Sequence, residues 1–167
     1  MTEIPVGECN ALATIDPTVD SFSDPCTFQW FSCTDGHITQ LNVSSYDWTE
    51  VPAAISDLPQ LTELDLSNNQ LTTIPAEIGD FTQLTTLYLQ GNQLTGLPAE
   101  IGNLTNLTTL SLEENQLTTI PAGIGKLTQL TELGLYNNQL TELPAEIGNL
   151  TQLTEFVLSE NLSLIHI

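Results

Sequence analysis

The chain has 167 residues and carries 21 Asp and Glu against a single Lys or Arg, Lys126, for a formal net charge of −20. That balance excludes nucleic acid as a partner, because phosphate recognition needs clustered Lys and Arg, and it disfavours anionic membrane surfaces. No apolar run approaches the roughly 20 residues of a membrane-spanning helix, so membrane insertion is not expected.

Residues 1–37 come first and stand outside any repeat. They hold all three cysteines, Cys9, Cys26 and Cys33, and are expected to form a helical or irregular N-terminal cap. Met1 runs straight into TEIPVGEC, with no secretory signal in view. Asp16, Asp20 and Asp24 are four apart, but Pro17 and Pro25 oppose a long helix. No calcium-loop pattern with its Gly and closing Glu surrounds them, so they read as solvated surface. The histidines are His37, at the cap junction, and His166; no Ser, Cys or carboxylate stands at a catalytic spacing from either. The chain therefore reads as no enzyme, with no cofactor and no metal.

From Leu61 one phrase repeats. LTELDLSNNQLTTIPAEIGDFTQ ends at Gln83, and the phrase begins again at Leu84, Leu107, Leu130 and, in part, Leu153. An imperfect earlier copy places Ile38, Leu41, Val43, Trp48, Val51, Pro52 and Ile55 in the same register, with Tyr46 where later copies have Asn. Burying the apolar residues of one copy contributes ~1.5–3 kcal/mol per large side chain. Ordering each residue costs about 1.5 kcal/mol, so one copy cannot fold alone and neighbouring copies must stack on it. Leu64 and Leu66 alternate with Glu63, Asp65 and Ser67, as in a strand with one buried face. The column Asn69, Asn92, Asn115, Asn138 and Asn161 falls where the chain turns inward, and amides there are expected to bond the backbones of adjacent coils. Pro75, Pro98, Pro121 and Pro144 open the return path, which is expected to hold short helical or 3₁₀ turns.

The pattern LxxLxLxxNxL is that of the leucine-rich repeat, and residues 38–161 resemble that family. The resemblance implies an α/β solenoid with parallel β-strands on a concave face and short 3₁₀ or helical turns on the convex face. It also implies a ligand-recognition module. CTFQWFSC, Cys26 to Cys33, resembles the N-terminal cap of plant-type extracellular leucine-rich-repeat proteins, with Trp30 and Cys33 in place, and the resemblance implies a first helix cut short to about Cys9 to Ile15. That likeness implies a disulfide between Cys26 and Cys33, an oxidising compartment and an extracellular or cell-surface location, with Cys9 left over. Three reduced thiols in a cytoplasmic protein remain the alternative. The recurrent LPxEIxxL phrase is also similar to that of intracellular Ras-associated repeat scaffolds.

Outward strand positions differ most between copies, so selectivity is expected there. They are Glu63, Asp65 and Ser67; Thr86, Tyr88 and Gln90; Thr109, Ser111 and Glu113; Glu132, Gly134 and Tyr136; and Glu155, Val157 and Ser159. Tyr88 and Tyr136 suit a sugar or a protein ligand equally. The charge surplus fits either a cationic ligand or solubility in a saline setting, where screening shortens self-repulsion to ~3–8 Å. Three Thr columns resemble the arrays of ice-binding solenoids: Thr62, Thr85, Thr108, Thr131 and Thr154; Thr72, Thr95, Thr118 and Thr141; Thr82, Thr105, Thr128 and Thr151. Asn42, Asn103, Asn106 and Asn149 lie in glycosylation sequons that matter only in a eukaryotic secretory pathway.

After Asn161 the register breaks. Residues 162–167, LSLIHI, resemble the translation of a sequencing adapter and are expected to be a non-native tail. The expected protein is thus a fragment of a secreted or surface protein that binds a protein or glycan ligand. It is expected to be monomeric apart from association through an uncapped C-terminal end at Leu153, Phe156 and Leu158.

Overall fold

A computed structural model of the chain describes Glu8 and residues 31–161. Among these residues seven strands stand in one sheet in chain order. β1 (Phe31–Thr34) and β2 (His37–Asn42) pair antiparallel. β3 (Glu63–Asp65), β4 (Thr86–Tyr88), β5 (Thr109–Ser111), β6 (Glu132–Gly134) and β7 (Glu155–Val157) then add in parallel, one per coil. The hairpin adds to the expected parallel array. Asp35 and Gly36 have φ of 52° and 85°, the left-handed pair that a two-residue Asp-Gly turn requires. The cap sequence thus contains a strand that its irregular appearance conceals.

Inward residues stack in columns. Leu64, Leu87, Leu110 and Leu133 are at most 1% exposed, and the columns beginning at Leu61, Leu66 and Leu71 are equally dry through the fourth coil. On the far side each coil returns through a 3₁₀ turn: Ala53–Asp57, Ala76–Asp80, Ala99–Asn103, Ala122–Lys126 and Ala145–Asn149. Each turn follows a proline whose ring fixes φ near the value the turn needs, −68° at Pro75 for example. The proline carbonyl accepts the N–H of the Ile three residues on, 3.1 Å from Pro75 to Ile78.

The Asn column ties coil to coil. Asn115 Oδ1 accepts the Leu94 N–H at 3.0 Å, while its Nδ2 donates to Leu89 O in the preceding coil and Leu112 O in its own. Asn92, Asn138 and Asn161 repeat this pattern, and Asn69 closes the column by accepting from the N–H groups of Tyr46 and Trp48. All five are buried.

Next to the Asn column runs a second one that pattern reasoning does not supply. Ser45, Asn68, Gly91, Glu114, Asn137 and Glu160 all have positive φ, between 52° and 68°. This single left-handed residue swings each coil off its strand, and only one of the six is glycine.

The 3₁₀ turns pack closely where glycine allows it. A Cβ on Gly102 would stand 2.5 Å from Gly123 O, and one on Gly79 would stand 2.7 Å from Glu100 O. In the first turn Ser56 occupies the equivalent position. A groove of about 360 Å³ opens there, lined by Val51, Pro52, Ile55, Pro75, Ile78 and Phe81 among others.

Candidate binding face

The outward strand positions form a three-column grid. Register pairing lines up Glu63, Thr86, Thr109, Glu132 and Glu155 in one column, and Asp65, Tyr88, Ser111, Gly134 and Val157 in the next. Ser67, Gln90, Glu113, Tyr136 and Ser159 follow two residues later as the third. The sequence-derived candidates therefore share one side of the sheet. Ser67 differs from its column mates in being 3% exposed.

Charge and aromatic groups interleave on the grid. Burial pushes the Tyr88 phenol above its ordinary range, and Glu63, Asp65 and Glu132 push it the same way, which places three carboxylates within electrostatic reach of this ring. Tyr136 is 37% exposed. Some polar ends are already engaged: Gln40 Nε2 donates to Glu63 Oε2 at 2.8 Å, and Asp65 Oδ1 accepts the Ser67 N–H at 2.9 Å. Lys126 lies in a turn on the opposite side, so the grid holds no basic side chain.

The three Thr columns part company. Thr85, Thr108 and Thr131 turn their hydroxyls back on the carbonyls of Thr62, Thr85 and Thr108 at 2.9–3.0 Å and are only partly exposed. This column braces adjacent coils instead of facing water. Thr72, Thr95, Thr118 and Thr141 are exposed, as are Thr82, Thr105, Thr128 and Thr151. Beside the first exposed set the backbones of adjacent coils bond again, Gln93 N to Leu71 O at 2.9 Å and Gln116 N to Leu94 O at 2.9 Å. That row spaces the threonines at about the inter-strand distance of ~4.8 Å.

At the N-terminal edge Glu8 supplies what the sequence spacing hides. Its Oε1 lies 2.8 Å from His37 Nδ1 and its Oε2 accepts the Ile38 N–H at 2.7 Å. His37 thus has a carboxylate partner 29 residues upstream, at no recognisable catalytic spacing, and the pair caps the start of β2. Cys33 is disulfide-bonded. The expected partner, Cys26, lies outside the described residues, as do the short helix expected at Cys9 to Ile15 and the tail at 162–167. Among the described residues no His, Cys, Asp and Glu group is arranged to hold a metal, and no helix is long and apolar enough to cross a membrane.

Comparison with known proteins places this geometry. The family described as "Leucine-rich repeat region" matches residues 87–164 and that described as "Leucine rich repeat" matches residues 37–94. A leucine-rich-repeat protein of Leptospira interrogans is 35% identical over 74% of this chain, with a TM-score of 0.67; the chain spans 37% of its length. The leucine-rich-repeat ectodomain of the receptor kinase SOBIR1 from Arabidopsis thaliana is 28% identical, with a TM-score of 0.79 over 96% of both chains. A plant ice-binding protein is 29% identical, with a TM-score of 0.82 over 95% of this chain and 57% of its own. A search of curated protein sequences returns no significant match.

Proposed function

The chain belongs to the leucine-rich-repeat family, and from that premise we propose that it is a non-enzymatic recognition module that binds a protein ligand on its concave grid, outside the cell or at its surface. The observation that carries this reading is the contrast between invariant and variable positions. Core Leu, ladder Asn and turn Pro recur because packing requires them, whereas the grid residues change from coil to coil and do not pack in the core. The likeness to a receptor-kinase ectodomain supports the extracellular location. The proposal includes a cap over residues 1–37 closed by a Cys26 to Cys33 disulfide; mapping of cross-linked peptides after alkylation tests it, and a free Cys26 thiol in folded protein refutes it.

Affinity capture from extracellular fluid decides the main claim. The 167-residue chain should retain a ligand that the variant Tyr88→Ser, Glu132→Ser, Tyr136→Ser loses, while a control altered at Glu77 and Asp80 on the turn side keeps it. Capture that ignores the grid changes overturns the reading. A ligand released by free sugars would be a glycan stacking on the same tyrosines.

One further observation favours a second reading, ice binding. The exposed row of Thr72, Thr95, Thr118 and Thr141, braced by coil-to-coil hydrogen bonds, is a regular array of hydroxyl and methyl groups. A solved plant ice-binding protein shares the architecture. Ice crystals grown in the protein should be faceted, and Thr95→Lys with Thr118→Lys should restore discs. Discs with the unaltered protein remove this reading.

A further inference from the structure

We infer that Glu113 and Gly134 form a receptor on the grid for one cationic group, a lysine ammonium or arginine guanidinium presented by the protein ligand. The inference rests on the recognition reading above and specifies the chemistry of one contact within it.

Position 134 holds a glycine that the backbone does not need. Gly134 lies in β6 and is not among the residues with positive φ. Glycine in a strand interior weakens the strand, so another cause must hold it there. That cause is visible in the neighbouring coil: the carboxylate of Glu113 lies in the space that a Cβ on residue 134 would fill. Asp65, Tyr88, Ser111 and Val157, at the same position in other coils, all carry side chains there.

One oxygen of the carboxylate so placed has no partner. Glu113 Oε2 is shut off from water and accepts no hydrogen bond. Gln90 Oε1, one coil earlier in the same column, is also shielded and unpaired. Acceptors removed from water without donors raise the energy of the free protein, and a group with several N–H donors that displaces the side chains covering them relieves both. The chain's only Lys or Arg, Lys126, is on the turn side and does not serve this site. Tyr136, next in the column, is exposed, and a tyrosine ring attracts a cation held beside it. Glu132, two residues before Gly134, adds negative potential.

The test titrates the full chain with N-acetylarginine amide while backbone amide NMR signals are followed. Saturable shifts centred on Gly134 and Tyr136 are expected. Glu113→Gln, which keeps the shape and removes the charge, should weaken binding at least about tenfold, as loss of a charge-assisted contact does. Gly134→Ala should do the same by expelling the carboxylate, while Glu77→Gln on the turn side leaves affinity unchanged. Weak shifts spread over all acidic residues and indifferent to Glu113→Gln would show a diffuse ion atmosphere and overturn the inference. Ligand capture separates the two claims. Capture lost with Tyr88→Ser, Glu132→Ser, Tyr136→Ser but intact with Glu113→Gln refutes the cation receptor alone. Site-specific arginine binding alongside capture indifferent to the grid keeps the receptor and refutes the recognition reading.

Discussion

The Thr85 hydroxyl donates to the carbonyl oxygen of Thr62 at 2.9 Å, and the same bond recurs from Thr108 to Thr85 at 3.0 Å. A column that looks in sequence like a water-facing array is therefore an inter-coil brace. Thr85 O also accepts the backbone N–H groups of Thr108 and Thr109, so removing one hydroxyl leaves that carbonyl satisfied. Thr108→Val should then cost only ~0.5–1 kcal/mol. Thr118→Val, at an exposed position, should stay within about 0.5 kcal/mol. Urea midpoints measure both; a larger loss at Thr118 would mean the bracing column is misassigned.

Asn115 carries more than one bond, and its loss should show it. Asn115→Ala leaves the buried Leu94 N–H without an acceptor and withdraws a donor from the Leu89 and Leu112 carbonyls. Each buried group left unpaired costs ~1–3 kcal/mol. Tyr88→Ala removes a ring from the outer grid and should cost far less. Comparable denaturation midpoints for the two variants would contradict the assignment of faces.

The parts of the fold that repeat are the parts the sequence makes legible. Leu64 and its column mates, the ladder Asn and the turn Pro each obey one rule in every coil, so period and residue type suffice to place them. The left-handed column escapes this logic because Ser45, Asn68, Gly91, Glu114, Asn137 and Glu160 share a backbone conformation and no side-chain chemistry. Glu8 with His37 escapes it too, since a contact across 29 residues leaves no local trace. The grid was readable as a set of outward positions. The crossing of Glu113 to Gly134 was not, because strand alternation says which side a residue faces and not which neighbour it leans on.

Glycine in the 3₁₀ turns gives a contrast between look-alike positions. Gly102→Ala would drive a methyl to 2.5 Å from the Gly123 carbonyl oxygen, backbone that cannot rotate away. Overpacking of that kind costs ~1–3 kcal/mol. Gly148→Ala meets nothing within 4 Å, and replacing glycine there should be neutral or stabilise by up to about 1 kcal/mol through the unfolded chain. Ser56→Gly should let the first two turns close on each other and shrink the groove of about 360 Å³, which a crystal structure of the variant would show. Equal thermal midpoints for Gly102→Ala and Gly148→Ala would refute the close approach.

Tyr88 predicts how stability varies at alkaline pH. Burial, then the negative charges of Glu63, Asp65 and Glu132, raise its value above the ordinary 10.0 in the folded protein, whereas the unfolded chain titrates normally. Folded protein therefore holds the phenol proton after unfolded protein has released it. For a group with a raised folded value, its contribution to stability is fully present below the unfolded value and is lost as pH rises through the folded one. The difference in urea midpoint between wild type and Tyr88→Phe should accordingly be flat up to about pH 10. Above that it should move against the wild type, since Phe has no proton to lose. Salt should soften the effect by screening the carboxylates, leaving the part due to burial. Wild-type and Tyr88→Phe curves that stay parallel from neutral pH through the alkaline limb would show that the ring does not sit among those three carboxylates.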